Sequence, residues 1–140
     1  VEALMTLEVK NEPHITVGIV DRQSCVEGRL RGAFLVDGIG PATNRKTNRL
    51  TNGFSAKAAS GSIVLCDAAG GVVGRSPHLR IKGGGRATFD LFKVTIGSRF
   101  HWERSEDQTF RGNLILRVRE DGTMAAINEV PLEDYLESVI

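Results

Sequence analysis

The chemically versatile side chains of this 140-residue chain are few and scattered. His14, His78 and His101 lie far apart and none belongs to a His-x-x-x-His pair, so no metal site is expected. Cys25 and Cys66 match no metal spacing and are too few for a disulfide framework. One disulfide formed in an oxidising compartment and two unrelated buried thiols are both open, and the second is the reading adopted. His101-Trp102-Glu103-Arg104 sets a histidine beside a carboxylate, a pairing that could serve acid/base work. Successive strand residues point to opposite faces, however, so a loop anchored by Trp102 with Glu103 and Arg104 paired is preferred. Aromatic faces stack on sugar rings, which keeps Trp102 as a candidate glycan contact.

Glu133 and Glu137 stand one helical turn apart with Asp134 between them, and a solvated helix face explains them. Gly83-Gly84-Gly85 lacks the Gly-Lys-Ser/Thr of a phosphate loop, and no strand–G-x-G-x-x-G–helix unit is present. The triplet reads as a turn. No Gly-x-Ser-x-Gly elbow occurs and neither cysteine sits in a nucleophile signature. No cofactor is expected.

These residues must be held by strands. Short alternating runs dominate and most helical periodicity is missing. Ile15, Val17 and Ile19 alternate, and Leu30 to Val36 forms a further strand reached through a turn near Glu27-Gly28. Residues 38–61 read as a long loop or two weak strands. Ser62 to Cys66 and Val72-Val73 form a hairpin around Ala68-Ala69-Gly70-Gly71, and Leu79 to Lys82 is a short strand. The alternation of Phe89 and Leu91 changes phase at Phe92, Val94 and Ile96, which predicts a bulge near Leu91-Phe92. Leu114, Leu116 and Val118 alternate up to Asp121-Gly122, read as a type I′ hairpin turn, and the return strand runs from Met124 to Val130. From Pro131, at the first helical position, Leu132, Tyr135, Leu136, Val139 and Ile140 form one helical face. The fold class is therefore mostly β: antiparallel sheets or a barrel-like β domain with a short C-terminal helix.

The composition narrows the function classes. An apolar share of 41% beside 25% charged residues suits a folded domain rather than a disordered chain. A net charge of +1 gives no electrostatic case for nucleic acid. No run approaches the roughly 20 apolar residues of a membrane span.

Two segments carry a family resemblance. Phe110-Arg111-Gly112-Asn113-Leu114 matches an aromatic-Arg-Gly-x-Leu strand. After a hairpin, Asn128-Glu129-Val130-Pro131-Leu132-Glu133-Asp134-Tyr135-Leu136 matches an Asn-x-Val/Leu-x-Leu-Glu-x-Tyr-Leu segment. Together, from Gln108 to Ile140 and over about a quarter of the chain, they resemble the opening of the SpoIID/LytB (amidase-enhancer) domain. The resemblance implies an N-terminal β region over 1–107 and the start of that domain over 108–140, within one β-rich unit, 1–140, expected to continue past Ile140. It implies an extracytoplasmic cell-wall protein whose partners are peptidoglycan glycan strands and, on a second reading, a cell-wall amidase that it stimulates without catalysis. Arg111 and Asn128 join Trp102 as candidate substrate contacts.

In that family a Glu-Met pair follows the matched segment. Its glutamate is the acid/base of a lytic transglycosylase, protonating the glycosidic oxygen and accepting the C6 hydroxyl proton as a 1,6-anhydro ring closes. No position of this sequence matches that glutamate, and Glu133 and Glu137 belong to the preceding motif. The implied function is a non-catalytic N-terminal piece of a peptidoglycan-processing protein, with no catalytic residue assigned.

Overall fold

The structure, a computed structural model, describes residues 13–38, 49–96 and 104–139. Ten strands and a short helix follow in order: β1 (His14–Gln23), β2 (Cys25–Asp37), β3 (Arg49–Ala59), β4 (Ser62–Asp67), β5 (Val72–Ser76), β6 (His78–Gly83), β7 (Thr88–Ile96), β8 (Arg104–Arg111), β9 (Asn113–Val118), β10 (Met124–Pro131) and α1 (Leu132–Val139). They form one antiparallel open sheet in the order β1-β10-β9-β6-β2-β3-β4-β5, with β7 and β8 branching from β2. The expectation of a mostly β, antiparallel protein with a terminal helix holds.

The branch point follows from one glycine. Along one edge of β2, Gly28 to Arg31 pairs with β7, and Phe34 to Asp37 pairs with β6. Between them Gly32 adopts φ +112, a conformation costly to residues with a Cβ, and the register with β3 slips between Leu30 and Phe34. The slip lets one strand serve two partners. The inward side chains of the sheet form a single core containing Leu30 and Phe34 of β2, Phe54 of β3, Ile63 and Leu65 of β4, Phe89 of β7 and Leu114 and Leu116 of β9. Burial of each such side chain contributes about 1.5–3 kcal/mol. Phe89 stacks on Phe110 with ring centroids 5.3 Å apart.

Several expectations are corrected. Glu27-Gly28 is no turn but the middle of β2, where Gly28 pairs with Phe54 on one side and Leu91 on the other. Within 38–61, Arg49–Ala59 is an eleven-residue strand with Leu50, Phe54 and Ala56 buried. Its alternation is broken at Asn52-Gly53, where Asn52 takes φ +61, and the polar residues on its outer side mask the rest. Residues 39–48 lie outside the described residues. The type I′ geometry belongs to Ser60-Gly61, where both φ values are positive and Ala59 pairs with Ser62. At Asp121-Gly122 only Gly122 has positive φ. Gly122 N donates to Arg119 O at 3.0 Å and Arg119 N to Thr123 O at 2.7 Å, the pattern of a type I turn closed by a glycine bulge. Pro131 ends β10 rather than opening the helix. The predicted bulge near Leu91-Phe92 is present as a register shift between Leu91 and Val94.

The apolar face of the helix is partly covered over Leu132 to Leu136, while the side chains of Val139 and Ile140 lie outside the described residues. Leu132 and Tyr135 are half-buried while Leu136 is 45% exposed. Its start is tied to the chain ahead of β1 by Leu132 N donating to Pro13 O at 2.9 Å.

Candidate functional site

A cleft of about 620 Å³ opens where five segments meet. The β6–β7 turn supplies Gly83 and Gly85 to Thr88, the β8–β9 junction supplies Arg111, Gly112 and Asn113, β10 supplies Glu129 and Pro131, and His14 and Asp134 close the rim.

The β8–β9 junction explains why these elements converge. Arg111 still pairs with Thr88 of β7, whereas Asn113 already pairs with Glu129 of β10. The chain changes partner at Gly112, which takes φ +87. A Cβ there would lie 2.4 Å from the carbonyl oxygen of Glu129. Asn128, 8% exposed, braces the crossing: its Nδ2 donates to Arg111 O at 2.8 Å and to Asn113 O at 3.1 Å. Both amide hydrogens of Asn128 are thus spent on the backbone either side of Gly112. Asn128→Ala is expected to cost about 1–3 kcal/mol, the range for leaving buried polar groups unmatched. Asn128→Asp should cost more than alanine, because it turns an acceptor toward two carbonyls. Urea denaturation at neutral pH ranks the two, and an aspartate variant as stable as wild type would refute the brace.

Glu129 is the polar centre of the cleft wall. Its Oε1 accepts from Arg80 Nε at 3.0 Å, from Arg80 Nη2, and from Asn113 Nδ2 at 2.9 Å. Asn113 Oδ1 in turn accepts from Gly83 N at 3.1 Å, which ties the β6–β7 turn to the same network. Burial by itself would raise the carboxyl. The hydrogen bonds from Asn113 and Arg80, with the charges of Arg80 and His14, outweigh it and hold Glu129 below the ordinary glutamate range. Glu129 is therefore an anion at neutral pH, able to accept hydrogen bonds but not to deliver a proton. Arg86 and Arg111 are exposed on the rim and bring donors. The Arg111–Glu137 pair, at 3.2 Å with both side chains largely in water, adds little stability and leaves the guanidinium able to turn inward.

Of the sequence-derived candidates, Arg111 lines the cleft, Asn128 positions it from behind, and Trp102 lies outside the described residues. Arg80, Asn113 and Glu129 were not singled out as site residues. The signal for Arg80 and Glu129 is a charged residue on the outward phase of an otherwise apolar strand, but nothing local joins positions 49 apart. Among the described residues no cluster of three metal-binding side chains occurs. Cys25 and Cys66 are free thiols, and burial, with the Glu27 charge, pushes the Cys25 thiol up, away from nucleophile chemistry. Comparison with family models, curated proteins and solved structures finds no match.

Proposed function

We propose that this chain is the glycan-holding, non-catalytic part of a SpoIID/LytB-like cell-wall protein, and that the cleft seats a peptidoglycan glycan strand. One observation carries the reading. The two segments of the resemblance are separated by a hairpin, yet Arg111, Gly112 and Asn113 from the first and Glu129, Pro131 and Asp134 from the second form one wall. That wall offers fixed acceptors and exposed guanidinium donors, a combination that matches hydroxyl and acetamide groups on sugars. Glu129 is held ionised, so it is a poor donor to a glycosidic oxygen, and its part in the cleft is to accept hydrogen bonds rather than to transfer a proton.

A second reading, a regulatory module that touches a wall amidase, draws on the exposed Leu136 of α1, a small apolar contact point. Co-sedimentation with purified sacculi, with and without stem peptides, tests the first reading. The chain should be retained, and Arg86→Ala with Arg111→Ala should weaken retention by about a hundredfold or more, as expected for two charge-assisted hydrogen bonds. Mass spectrometry of denuded glycan strands incubated with the chain should show no 1,6-anhydro ends. Absence of retention on both kinds of sacculi removes the glycan reading, and an accompanying absence of effect on an amidase removes the regulatory one.

A further inference from the structure

Arg29 and Arg31 sit two residues apart on the outward phase of β2, between the inward Gly28, Leu30 and the bulge at Gly32. Asp90 of β7 pairs with Arg29, and Thr109 of β8 pairs with Asp90, so the three lie in one row across three strands. Asp90 alternates with the core residues Phe89 and Leu91 and faces away from the core, yet it is only 4% exposed. Arg31 Nη2 donates to Asp90 Oδ2 at 2.7 Å and Arg29 Nη2 reaches the same oxygen at 3.4 Å. Thr109 Oγ1 donates to Asp90 Oδ1 at 2.6 Å. Both carboxylate oxygens are occupied, and two guanidinium groups converge on one of them.

This arrangement carries an unbalanced charge: two cations share one anion. The two arginine side chains remain 55% and 54% exposed. Among the described residues the hydrogen bonds and ion pairs of both run through Nη2 to Asp90, which leaves Nε and Nη1 of each guanidinium as donors without an acceptor there. Paired, pre-positioned guanidinium forks are the donor geometry that carboxylates and phosphates accept bidentately. Beside them Phe92 is 37% exposed and lies under Arg29, whose Cζ is 6.0 Å from the ring centroid.

We propose that Arg29 and Arg31, pre-positioned by Asp90, form an oxyanion-binding clamp for a carboxylate or phosphate group presented beside an apolar face that rests on Phe92. The clamp does not depend on what fills the cleft. Asp90 is a positioning residue here, and the two arginines make the contact.

Nuclear magnetic resonance of the arginine Nε–Hε groups tests this in the 140-residue chain, titrated with inorganic phosphate and separately with acetate, against sodium chloride at equal ionic strength. Arg29 and Arg31 should shift saturably with at least one anion while Arg22, at the far hairpin, drifts only with ionic strength. Tighter saturation by phosphate assigns a phosphate monoester, and tighter saturation by acetate assigns a carboxylate. Arg29→Gln with Arg31→Gln should weaken binding by at least about tenfold. Arg31→Lys, which keeps the charge but loses the fork, should weaken it by about threefold or more and decides the matter if the double variant fails to fold. Shifts at Arg29 and Arg31 that merely track Arg22, or affinity unchanged in Arg31→Lys, overturn the clamp.

Discussion

Gly28→Ala is expected to lower folding stability by about 3 kcal/mol or more, the upper range for overpacking a close-packed interior. Gly28 occupies an inward position of β2 between Val26 and Leu30, where alternation alone would call for a side chain. A Cβ there would lie 2.2 Å from the backbone oxygen of Asp90 and 2.8 Å from Cε1 of Phe54. Neither neighbour can yield cheaply: the first is strand backbone in β7, and the second is the edge of a ring that is 4% exposed. The Phe54 ring fills the space that a side chain at 28 would need. Urea denaturation should show a lower midpoint with an unchanged slope, the mark of a folded state weakened without a change in surface exposed. Gly84→Ala is the control, since a Cβ there meets nothing within 4 Å. A Gly28→Ala midpoint equal to that of Gly84→Ala would show that β2 and β7 are not packed as described.

Glu129→Ala is expected to cost about 2–4 kcal/mol, between the loss of a charged hydrogen bond and the breaking of a buried ion pair. The side chain of Glu129 is 14% exposed and that of Arg80 40% exposed, so the pair is shielded on one side and wet on the other. Removal leaves the Arg80 guanidinium and the Asn113 amide without their common acceptor, and Asn113 also holds the β6–β7 turn through Gly83. The effect therefore reaches the cleft, and under the proposed glycan-holding role retention on sacculi should fall along with stability. Glu129→Gln keeps the shape and isolates the charge.

The pH dependence follows from the direction of the Glu129 shift. Its folded value lies below the ordinary 4.5, so the unfolded chain binds the proton more readily. The stabilisation is fully present above 4.5 and is lost as pH falls through the lower folded value. The stability gap between wild type and Glu129→Gln should therefore be widest near neutrality and close under acid. A gap that persists unchanged in acid would mean that shape rather than charge holds the wall together.

Local pattern was enough for much of the fold. The alternation of Leu114, Leu116 and Val118 up to Asp121-Gly122 marks a hairpin, because strand period and turn chemistry are both written in adjacent residues. The phase change at Leu91-Phe92 marks a bulge for the same reason, and the spacing of Leu132, Tyr135 and Leu136 marks α1. β3 was harder, since Asn52-Gly53 interrupts its period just where Phe54 needs it. The turn type at Asp121-Gly122 was misread because a glycine bulge and a type I′ turn share the same dipeptide preference.

What tertiary structure alone decided is which strand lies beside which. Nothing near Gly28 in the sequence shows that the flanking strand is β7, whose backbone excludes a Cβ. Nothing near Gly32 shows that β2 exchanges β7 for β6 there. Glu129 finds Arg80 across 49 residues, and Asp90 finds Arg31 across 59, only because β6, β9 and β10 in one case and β2 and β7 in the other are hydrogen-bonded neighbours. Period and turn signals act over a few residues. Strand pairing is set by the summed burial of whole inward faces, and that sum fixes the partners of the outward charges, the cleft that Glu129 lines and the convergence of Arg29 and Arg31 on Asp90.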